Sequence, residues 1–319
     1  MNGDRFHKLG VNLFTRHPRN PILTTASLPY PANSIFNAGA AKVGASTVLL
    51  ARVEDLRGIS HLTVLRSLDG ESGWTCEGPS FLPDPSAHPE ELWGIEDPRV
   101  TRLEELGAWA VTYTAYSSRG PLVSLALTKD FRTFERRGPI CQPDDKNAAL
   151  FPKRFGGQWA LLHRPTTKGQ EANVWLSFSE DLKHWGDPTR LLECRQGAWW
   201  DSARIGTCPP PLETPHGWLL CYHGVRNTVS GAIYRLGLAL LDLEDPRRVL
   251  RRSEDWVFGP REPYELAGDV PNVVFPCGWV HDPATDRLSL YYGAADTCIA
   301  LATARLSEVM DYVLNCPAP

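Results

Sequence analysis

Three stretches of the chain follow one pattern: RSLDGESGWT at residues 66–75, LTKDFRTFER at 127–136 and FSEDLKHWGD at 178–187. In each stretch a Ser or Thr precedes an Asp by two residues, and an aromatic side chain follows. Asp at such positions favours a tight turn between strands. The shared pattern therefore predicts a strand–turn–strand hairpin that recurs along the chain, as in repeat architectures.

A second recurring element is a short apolar strand that follows a turn. Five such runs are rich in aliphatic, aromatic and β-branched residues: Val48–Val53, Ala110–Thr114, Trp159–His163, Trp218–Tyr222 and Leu288–Tyr292. Together with the hairpins they define five units of roughly 50 to 70 residues, the size of a four-stranded propeller blade. A pair of β-sandwiches is the alternative, but it does not explain the repeats.

The predicted fold is therefore all-β, a five-bladed β-propeller between about residues 35 and 305, within a single domain over residues 1–319. Helical periodicity is scarce. Its best example is Ser307–Leu314, where Ser307 is placed to cap a short C-terminal helix. This helix and the opening segment are expected to pack around the outside of the propeller or to close the ring.

The composition is that of an ordinary globular chain without a strongly charged surface. The formal net charge is −4, so no global field favours nucleic acid or an anionic membrane. No apolar run resembles a signal peptide or approaches the length of a membrane span, which predicts a cytoplasmic protein. The eight cysteines are scattered without a C-x-x-C pair, so free thiols are expected instead of disulfides or zinc ligands.

One polar residue opens each of the five units near a turn: Asn37, Asp97, Asn147, Asp201 and Asn272. The innermost strands of a propeller converge on a central channel. Five polar residues in register should therefore meet at one mouth of that channel and line a pocket.

The unit that Asp97 opens carries the sequence GIEDPRV at residues 94–100. Proline restricts the residue before it, so Asp97 is expected to be extended, and strand alternation should turn Glu96 and Asp97 to opposite faces. Arg99 would then share a face with Asp97 and keep its carboxylate ionised. An Asp–Arg pair in a turn explains this motif taken alone, but the matching openers of the other units favour a functional site.

Basic and aromatic polar residues are concentrated on units three and four, on or just after predicted inner strands: His163, Arg164, Arg204, Tyr222 and His223. Arginine binds tetrahedral oxyanions through paired hydrogen bonds, and Tyr and His add further donors. Each residue alone is explained by an ion pair, a core tyrosine or a hydrogen-bonded histidine. Their concentration on adjacent units predicts an anion pocket that takes phosphate.

Asp296 follows the last apolar run, in YYGAAD at 291–296, and is expected to bind sugar hydroxyls. The chain lacks the motifs G-x-G-x-x-G, G-x-x-x-x-G-K-[ST], G-x-S-x-G and H-E-x-x-H, so nucleotide, serine-hydrolase and zinc-protease chemistry have no support. The Cys and His residues lack metal-ligand spacing, and neither a metal nor an organic cofactor is expected.

These motifs resemble the mannoside phosphorylases and related enzymes of glycoside hydrolase family 130. The resemblance extends from Asn20 to Ala302 and rests on specific runs: FNAGA at 36–40, GIEDPRVT at 94–101, LHRP at 162–165, YHG at 222–224, VPNVVFPCG at 270–278 and YYGAAD at 291–296. It is nearest to the subgroup that acts on β-mannosides. It implies a five-bladed propeller, in agreement with the repeats.

The resemblance also implies inverting phosphorolysis, in which a β-mannoside and inorganic phosphate give α-mannose 1-phosphate and a shortened acceptor. Asp97 would be the general acid, acting through a hydroxyl of the bound mannose. Phosphate, a co-substrate and not a cofactor, would be bound by Arg164, Arg204, Tyr222 and His223. The mannoside would contact Asn37, Arg52, Glu96, His163 and Asp296.

The chain departs from the family pattern at Arg204, where lysine is expected. Arginine keeps the charge but is longer and planar, so the cleaved linkage stays open between β-1,2 and β-1,4. Two other functions also stay open: a β-mannosidase that uses water, and a propeller that binds carbohydrate without cleaving it. The expected partners are a β-mannoside and phosphate, not nucleic acid or a membrane, and association into a homo-oligomer is left open.

Overall fold

The computed structural model describes residues 10–167, 169 and 171–319. Five antiparallel sheets follow one another along the chain as the blades of a β-propeller, which confirms the predicted fold class. None of the helices in these residues has the length and apolar character that a membrane span requires.

A two-residue strand, β1 (Thr15–Arg16), precedes the blades. Blade 1 has the strands β2 (Ser34–Val43), β3 (Ser46–Glu54), β4 (Ser60–Ser67) and β5 (Thr75–Phe81). Blade 2 has β6 (Ile95–Leu103), β7 (Ala108–Ser117), β8 (Gly120–Thr128) and β9 (Glu135–Pro139). Blade 3 has β10 (Asp145–Phe155), β11 (Gln158–Pro165), β12 (Val174–Ser179) and β13 (Gly186–Leu192).

Blade 4 is the irregular one, with β14 (Arg204–Thr207), β15 (Leu212–Thr214), β16 (Gly217–Thr228), β17 (Gly231–Leu241) and β18 (Val249–Arg252). Both β14 and β15 pair with β16. A one-turn helix, α1 (Pro263–Leu266), leads to blade 5, which has β19 (Val274–Asp282), β20 (Arg287–Ala294) and β21 (Cys298–Arg305). The chain closes with helix α2 (Leu306–Leu314); three short 3-10 turns lie at Thr25–Ser27, Pro89–Glu91 and Glu104–Leu106.

The repeated hairpins are confirmed as the links between the third and fourth strands of blades 1, 2 and 3. Their aspartates accept backbone hydrogen bonds that close the turns. Asp130 Oδ1, for example, accepts the N–H groups of Arg132 at 2.8 Å and Thr133 at 2.9 Å. Asp69 and Asp181 do the same two and three residues ahead, which explains why the motif recurs.

The first strand of each blade lies at the centre of the ring, where β2 packs against β19 and β6, and β6 packs against β10. The apolar runs of the sequence are therefore the second strands of their blades. We expected His163, Arg164, Tyr222 and His223 on or just after inner strands, and this was wrong, because they lie on the second strands β11 and β16. Of the five residues predicted for the anion pocket or its surroundings, only Arg204 lies on a first strand, β14.

The N-terminal segment closes the ring, since β1 pairs with β21 as the outer strand of blade 5. Arg16 secures this closure by donating from Nε to Glu265 Oε1 at 2.8 Å. Helix α2 packs its apolar side, which includes Val309 and Val313, against the apolar side chains of blades 4 and 5. Ser307 is not its cap: the helix begins at Leu306, and the Ser307 hydroxyl donates to Asp286 instead.

Apolar side chains fill the layers between neighbouring blades, and the cysteines belong mostly to these layers. All eight cysteines are free, as expected, and five of them are buried: Cys194, Cys208, Cys221, Cys277 and Cys298.

Candidate active site

Four of the five polar openers share one backbone conformation. Asn37, Asp97, Asn147 and Asn272 have positive φ angles of 46°, 49°, 57° and 61°. Asn and Asp enter this left-handed region more readily than other non-glycine residues. Asn37, Asp97 and Asn147 each lie at a break in the pairing of the first strand with the second, and Asn272 lies just before β19. The recurring residue types at the openers therefore reflect a repeated backbone irregularity near the start of the first strand.

Because Asp97 is left-handed, two expectations about the EDPR segment were wrong. Asp97 is not extended, and Glu96 and Asp97 do not point to opposite faces, since the ladder shifts between Glu96 and Arg99 and interrupts the alternation. Both carboxylates reach Arg52, whose Nη1 donates to Asp97 Oδ1 at 3.1 Å and whose Nη2 donates to Glu96 Oε1 at 3.1 Å.

A cavity of about 370 Å³ opens at this mouth of the channel. Eight of the predicted site residues line it: Asn37, Arg52, Glu96, Asp97, Arg164, Arg204, His223 and Asp296. The cavity has two chemically different walls. In the acid wall, Glu96 and Asp97 bond Arg52, and Asp296 lies within reach of their charges. In the cation wall, Arg164 and Arg204 lie beside His223. Lys146 lies between the two walls, since the charges of Glu96 and Arg164 both act on it.

The acid wall fixes Asp97 through one oxygen. Asn37 Nδ2 donates to Asp97 Oδ1 at 3.0 Å, in addition to Arg52. Arg99 does not hydrogen-bond the carboxylate; it donates from Nη1 to the Asp97 backbone carbonyl at 2.8 Å. Its positive charge nevertheless lowers the pKa of Asp97 and helps to keep the carboxylate ionised, as we had expected. No group in the described part of the chain hydrogen-bonds Asp97 Oδ2, so this oxygen remains available to a ligand.

The pKa values of Asp97 and Asp296 are shifted in opposite directions. Burial opposes the charge of Asp97, but Arg52 and Arg99 outweigh it and lower its pKa below the usual value. Burial, and then the negative charge of Asp97, raise the pKa of Asp296 to about 7. Below about pH 7 the acid wall of the free protein therefore holds an ionised Asp97 and a protonated Asp296.

The cation wall is short of negative partners. Burial, and then the charge of Arg204, lower the pKa of Arg164 to about 10, and burial lowers the pKa of Lys146. Arg164 Nε is buried and has no hydrogen-bond acceptor among the described residues. Arg204 donates from Nη2 to the Tyr234 hydroxyl at 2.6 Å. An anion in this wall would relieve the repulsion between Arg164 and Arg204 and would accept a hydrogen bond from Arg164.

His223 lies at the base of the cation wall as a neutral ring. Its burial and the charge of Arg164 hold its pKa well below the usual value. The ring packs against Phe275, with centroids 4.8 Å apart. Gly206 makes room for it, because a Cβ there would stand 2.5 Å from His223 Cε1. Arg164 Nη1 donates to His223 Nε2 at 3.5 Å, and Nδ1 lies 3.6 Å from Cys208 Sγ. The neutral ring therefore supports Arg164 from below, and it carries no positive charge of its own toward an anion.

His163 was predicted to contact the substrate, and this is wrong in the structure. It precedes Arg164 on β11, and strand alternation turns the two side chains apart. His163 Nδ1 bonds Asp145 Oδ2 at 2.6 Å and Nε2 bonds Ser177 Oγ at 2.9 Å. Asp145 Oδ1 in turn accepts the backbone N–H of Arg164 at 3.1 Å, so His163 supports the wall from behind.

Tyr222 was predicted to bind phosphate, and this too is wrong. It is the neighbour of His223 on β16, so the two side chains point to opposite faces of the strand. Its ring lies in the apolar layer and stacks on Trp200 with centroids 5.6 Å apart. The Tyr222 hydroxyl donates to Asp201 Oδ2 at 3.2 Å and accepts from Arg252 Nε at 3.1 Å. Asp201 is fully buried in this network and does not line the cavity.

The described residues contain one cluster with the donor atoms of a metal site, in which ligand atoms of Cys141, Asp145 and His163 lie within 4.8 Å of one another. Both carboxylate oxygens of Asp145 already accept hydrogen bonds, and both ring nitrogens of His163 are engaged. The cluster therefore acts as a polar network behind β10 and β11.

Sequence reasoning missed Lys146, Tyr234 and Phe275, all of which line the cavity. Lys146 precedes the opener Asn147, so its position in the motif was a usable signal. Tyr234 could be found only from strand pairing, since it lies opposite Val225 on the neighbouring strand.

A five-bladed propeller whose polar cavity is lined by both carboxylates and arginines has the groups that acid catalysis on a carbohydrate and the binding of an anion require. The chain belongs to glycoside hydrolase family 130. The family model, described as beta-1,4-mannooligosaccharide phosphorylase, matches residues 22–315.

Individual relatives agree with this assignment. The chain is 32% identical over 314 residues to the beta-1,4-mannooligosaccharide phosphorylase of Ruminococcus albus, covering 93% of this chain and 90% of the relative. It is 36% identical over 256 residues to the beta-1,2-mannobiose phosphorylase of Listeria innocua, covering 80% and 69%. A solved structure of beta-1,2-mannobiose phosphorylase from Listeria innocua, in complex with beta-1,2-mannobiose, superposes with a TM-score of 0.85 at 29% identity and covers 94% of this chain and 99% of that one.

Proposed function

We propose that this protein is an inverting phosphorylase that cleaves a β-mannoside with inorganic phosphate and releases α-mannose 1-phosphate. The observation that carries the proposal is the division of one cavity into an acid wall and a cation wall. Arg164 Nε in the cation wall is buried and has no acceptor in the part of the chain that the structure describes, which supports an anion at that place.

The terminal mannose would lie against the acid wall. Arg52, Asn37 and Glu96 line this part of the cavity and would bond its hydroxyls, while Asp97 Oδ2 has no hydrogen-bond partner among the described residues. Asp97 would supply the proton for the departing oxygen through a sugar hydroxyl. Since Asp97 is ionised in the free protein, the proton must reach it in the complex, and Asp296 carries one below about pH 7.

Phosphate would bind between Arg164, Arg204 and Lys146, with the neutral ring of His223 holding Arg164 in place through Nε2. It arrives as an anion and needs no general base. Water would need a carboxylate on the face opposite the acid, and in the described part of the chain the carboxylates that line the cavity are Glu96, Asp97 and Asp296, all on the acid wall. This favours phosphate over water as the nucleophile, and a cavity with a fixed acid favours catalysis over binding alone.

The remaining sequence predictions belong to the same proposal. The reaction needs a proton donor and a charged nucleophile, so we expect it to proceed without a metal or an organic cofactor. A cytoplasmic location and association into a homo-oligomer stay predictions.

A synthesis assay tests the proposal. The protein is incubated with α-mannose 1-phosphate and a panel of acceptors (mannose, glucose, N-acetylglucosamine and manno-oligosaccharides of both linkages), and phosphate release is measured. Release with at least one acceptor, accompanied by a new β-mannoside, is the expected result and identifies the linkage. No release with any acceptor would contradict the proposal.

A further inference from the structure

Two exposed aromatic side chains, Trp93 and Tyr116, contact each other at the rim of blade 2. Their ring centroids are 5.3 Å apart at an interplanar angle of 68°, and they are 45% and 37% exposed. The backbone holds them in place, because the Trp93 N–H donates to the Tyr116 carbonyl at 2.8 Å. A contiguous aromatic surface that is fixed in position but open to solvent is typical of a binding site.

This pair continues the acid wall outward. Glu96 lies opposite Thr114 in the ladder of β6 and β7, and Tyr116 follows Thr114 by two residues, on the same face of the strand. Trp93 precedes Glu96 by three residues, a separation of at most roughly 11 Å along the chain. The aromatic pair therefore lies at the same end of blade 2 as the two carboxylates.

The geometry of inversion assigns an occupant to this surface. Inversion places the nucleophile and the leaving group on opposite faces of the sugar ring. The cation wall belongs to blades 3 and 4, whereas Asp97, which supplies the proton through a sugar hydroxyl, belongs to blade 2. We therefore expect the leaving sugar to extend away from Arg164 and Arg204, toward the rim of blade 2.

We propose that Trp93 and Tyr116 form a platform for the acceptor part of the β-mannoside, which is the sugar beyond the cleaved bond. The inference rests on the proposed phosphorolysis. A pyranose ring has an apolar C–H face that packs on an aromatic ring, while its hydroxyl groups stay in water at the rim. Trp and Tyr suit this contact because they combine a large apolar face with a polar group.

The test is the synthetic direction of the reaction, in which the two substrates have separate KM values. With α-mannose 1-phosphate and mannobiose, Trp93→Ala should raise the KM for mannobiose about fivefold to tenfold. The KM for α-mannose 1-phosphate should change less than twofold. Trp93→Phe keeps an aromatic face and should restore most of the acceptor affinity. Leu68→Ala, a truncation of an exposed side chain (78%) in the β4–β5 hairpin, should change neither KM.

An unchanged KM for mannobiose in Trp93→Ala, or an equal rise in both KM values, would overturn the platform while leaving phosphorolysis intact. A second copy of the chain is the other candidate occupant. It would show as a change in oligomeric state in Trp93→Ala, by sedimentation, without a change in acceptor KM, and this too would overturn the inference. If the unaltered protein does not use α-mannose 1-phosphate with any acceptor, the proposed function fails first and the platform with it.

Discussion

Arg52 and Asp97 are joined by a hydrogen bond of 3.1 Å from Nη1 to Oδ1, and they come from neighbouring blades. The bond fixes an acid that already has an unusual backbone, with φ of 49°. Such conformations cost free energy and persist where the surroundings enforce them. Here the result is a carboxylate in the cavity lining with Oδ1 held by the protein, while Oδ2 receives no hydrogen bond from the described residues.

Asp97→Asn should therefore abolish most of the turnover without unfolding the protein. Asn is nearly the same size and adopts the left-handed region as readily, but it cannot donate the proton in catalysis, a role worth roughly 10²- to 10⁴-fold in rate. The measurement is kcat for phosphorolysis, with the melting temperature as the control for folding. A variant that folds normally and keeps a large fraction of the activity would remove Asp97 from the mechanism.

Arg204→Ala should raise the KM for phosphate by roughly 10- to 100-fold, because a charge-assisted contact to the anion is lost. The KM for the mannoside should change much less. Arg204→Lys is the matched control: it keeps the charge but loses the planar fork that also bonds Tyr234, so an intermediate KM is expected. His223→Ala should act on phosphate as well. Unchanged phosphate dependence in both alanine variants would place the anion elsewhere.

The activity should fall as the pH rises through about 7. The pKa of Asp296 is raised to about 7 by burial and by Asp97, so its carboxyl is protonated below this pH and loses its proton above it. The acid wall then has no proton to pass to Asp97. We expect kcat/KM for the mannoside to show a basic limb near pH 7.

Asp296→Asn provides the comparison, because Asn does not titrate. Phosphate ionises in the same range, but it affects both proteins equally at a fixed, saturating concentration. In Asp296→Asn the basic limb should disappear, and the only remaining change in rate with pH should be the one that the ionisation of phosphate causes. The same limb in both proteins would show that Asp296 does not hold the relevant proton.

Tyr222→Phe should reduce stability and leave phosphate binding unchanged. The Tyr222 hydroxyl bonds Asp201 and Arg252 inside the blade, and leaving their buried groups short of a partner costs about 1–3 kcal/mol. Chemical denaturation measures the loss in the free energy of unfolding, and the KM for phosphate is the second readout. A large rise in the KM for phosphate at unchanged stability would show that Tyr222 does contact the anion, and would contradict its assignment to the blade interior.

The fold could be predicted from the sequence because its repeats have local causes. The aspartate turns at Asp69, Asp130 and Asp181 bond their own neighbouring backbone, so the residues that make the hairpin are adjacent in the chain. The openers such as Asn37 were visible for a similar reason, since only a few residue types adopt their left-handed backbone.

The site was harder to predict where neighbouring residues compete for one wall. His163 and Arg164, or Tyr222 and His223, are adjacent in sequence, and which of each pair faces the channel depends on the register of second strands that the motifs do not reveal. Tyr234 lies in the site because β17 pairs with β16, and this pairing could not be read from the motifs. Glu96 and Asp97 share a wall because the left-handed turn breaks the alternation on which the sequence argument relied.

The most direct test of the central claim is the dependence of cleavage on phosphate. The protein is dialysed against excess EDTA and incubated with a β-mannobiose of the accepted linkage, with and without inorganic phosphate, and the products are followed by ³¹P and ¹H NMR. We predict cleavage only with phosphate, at the same rate in EDTA as before dialysis, and α-mannose 1-phosphate as the first sugar product. Cleavage without phosphate to give free mannose, or activity that EDTA stops and a divalent ion restores, would contradict the account.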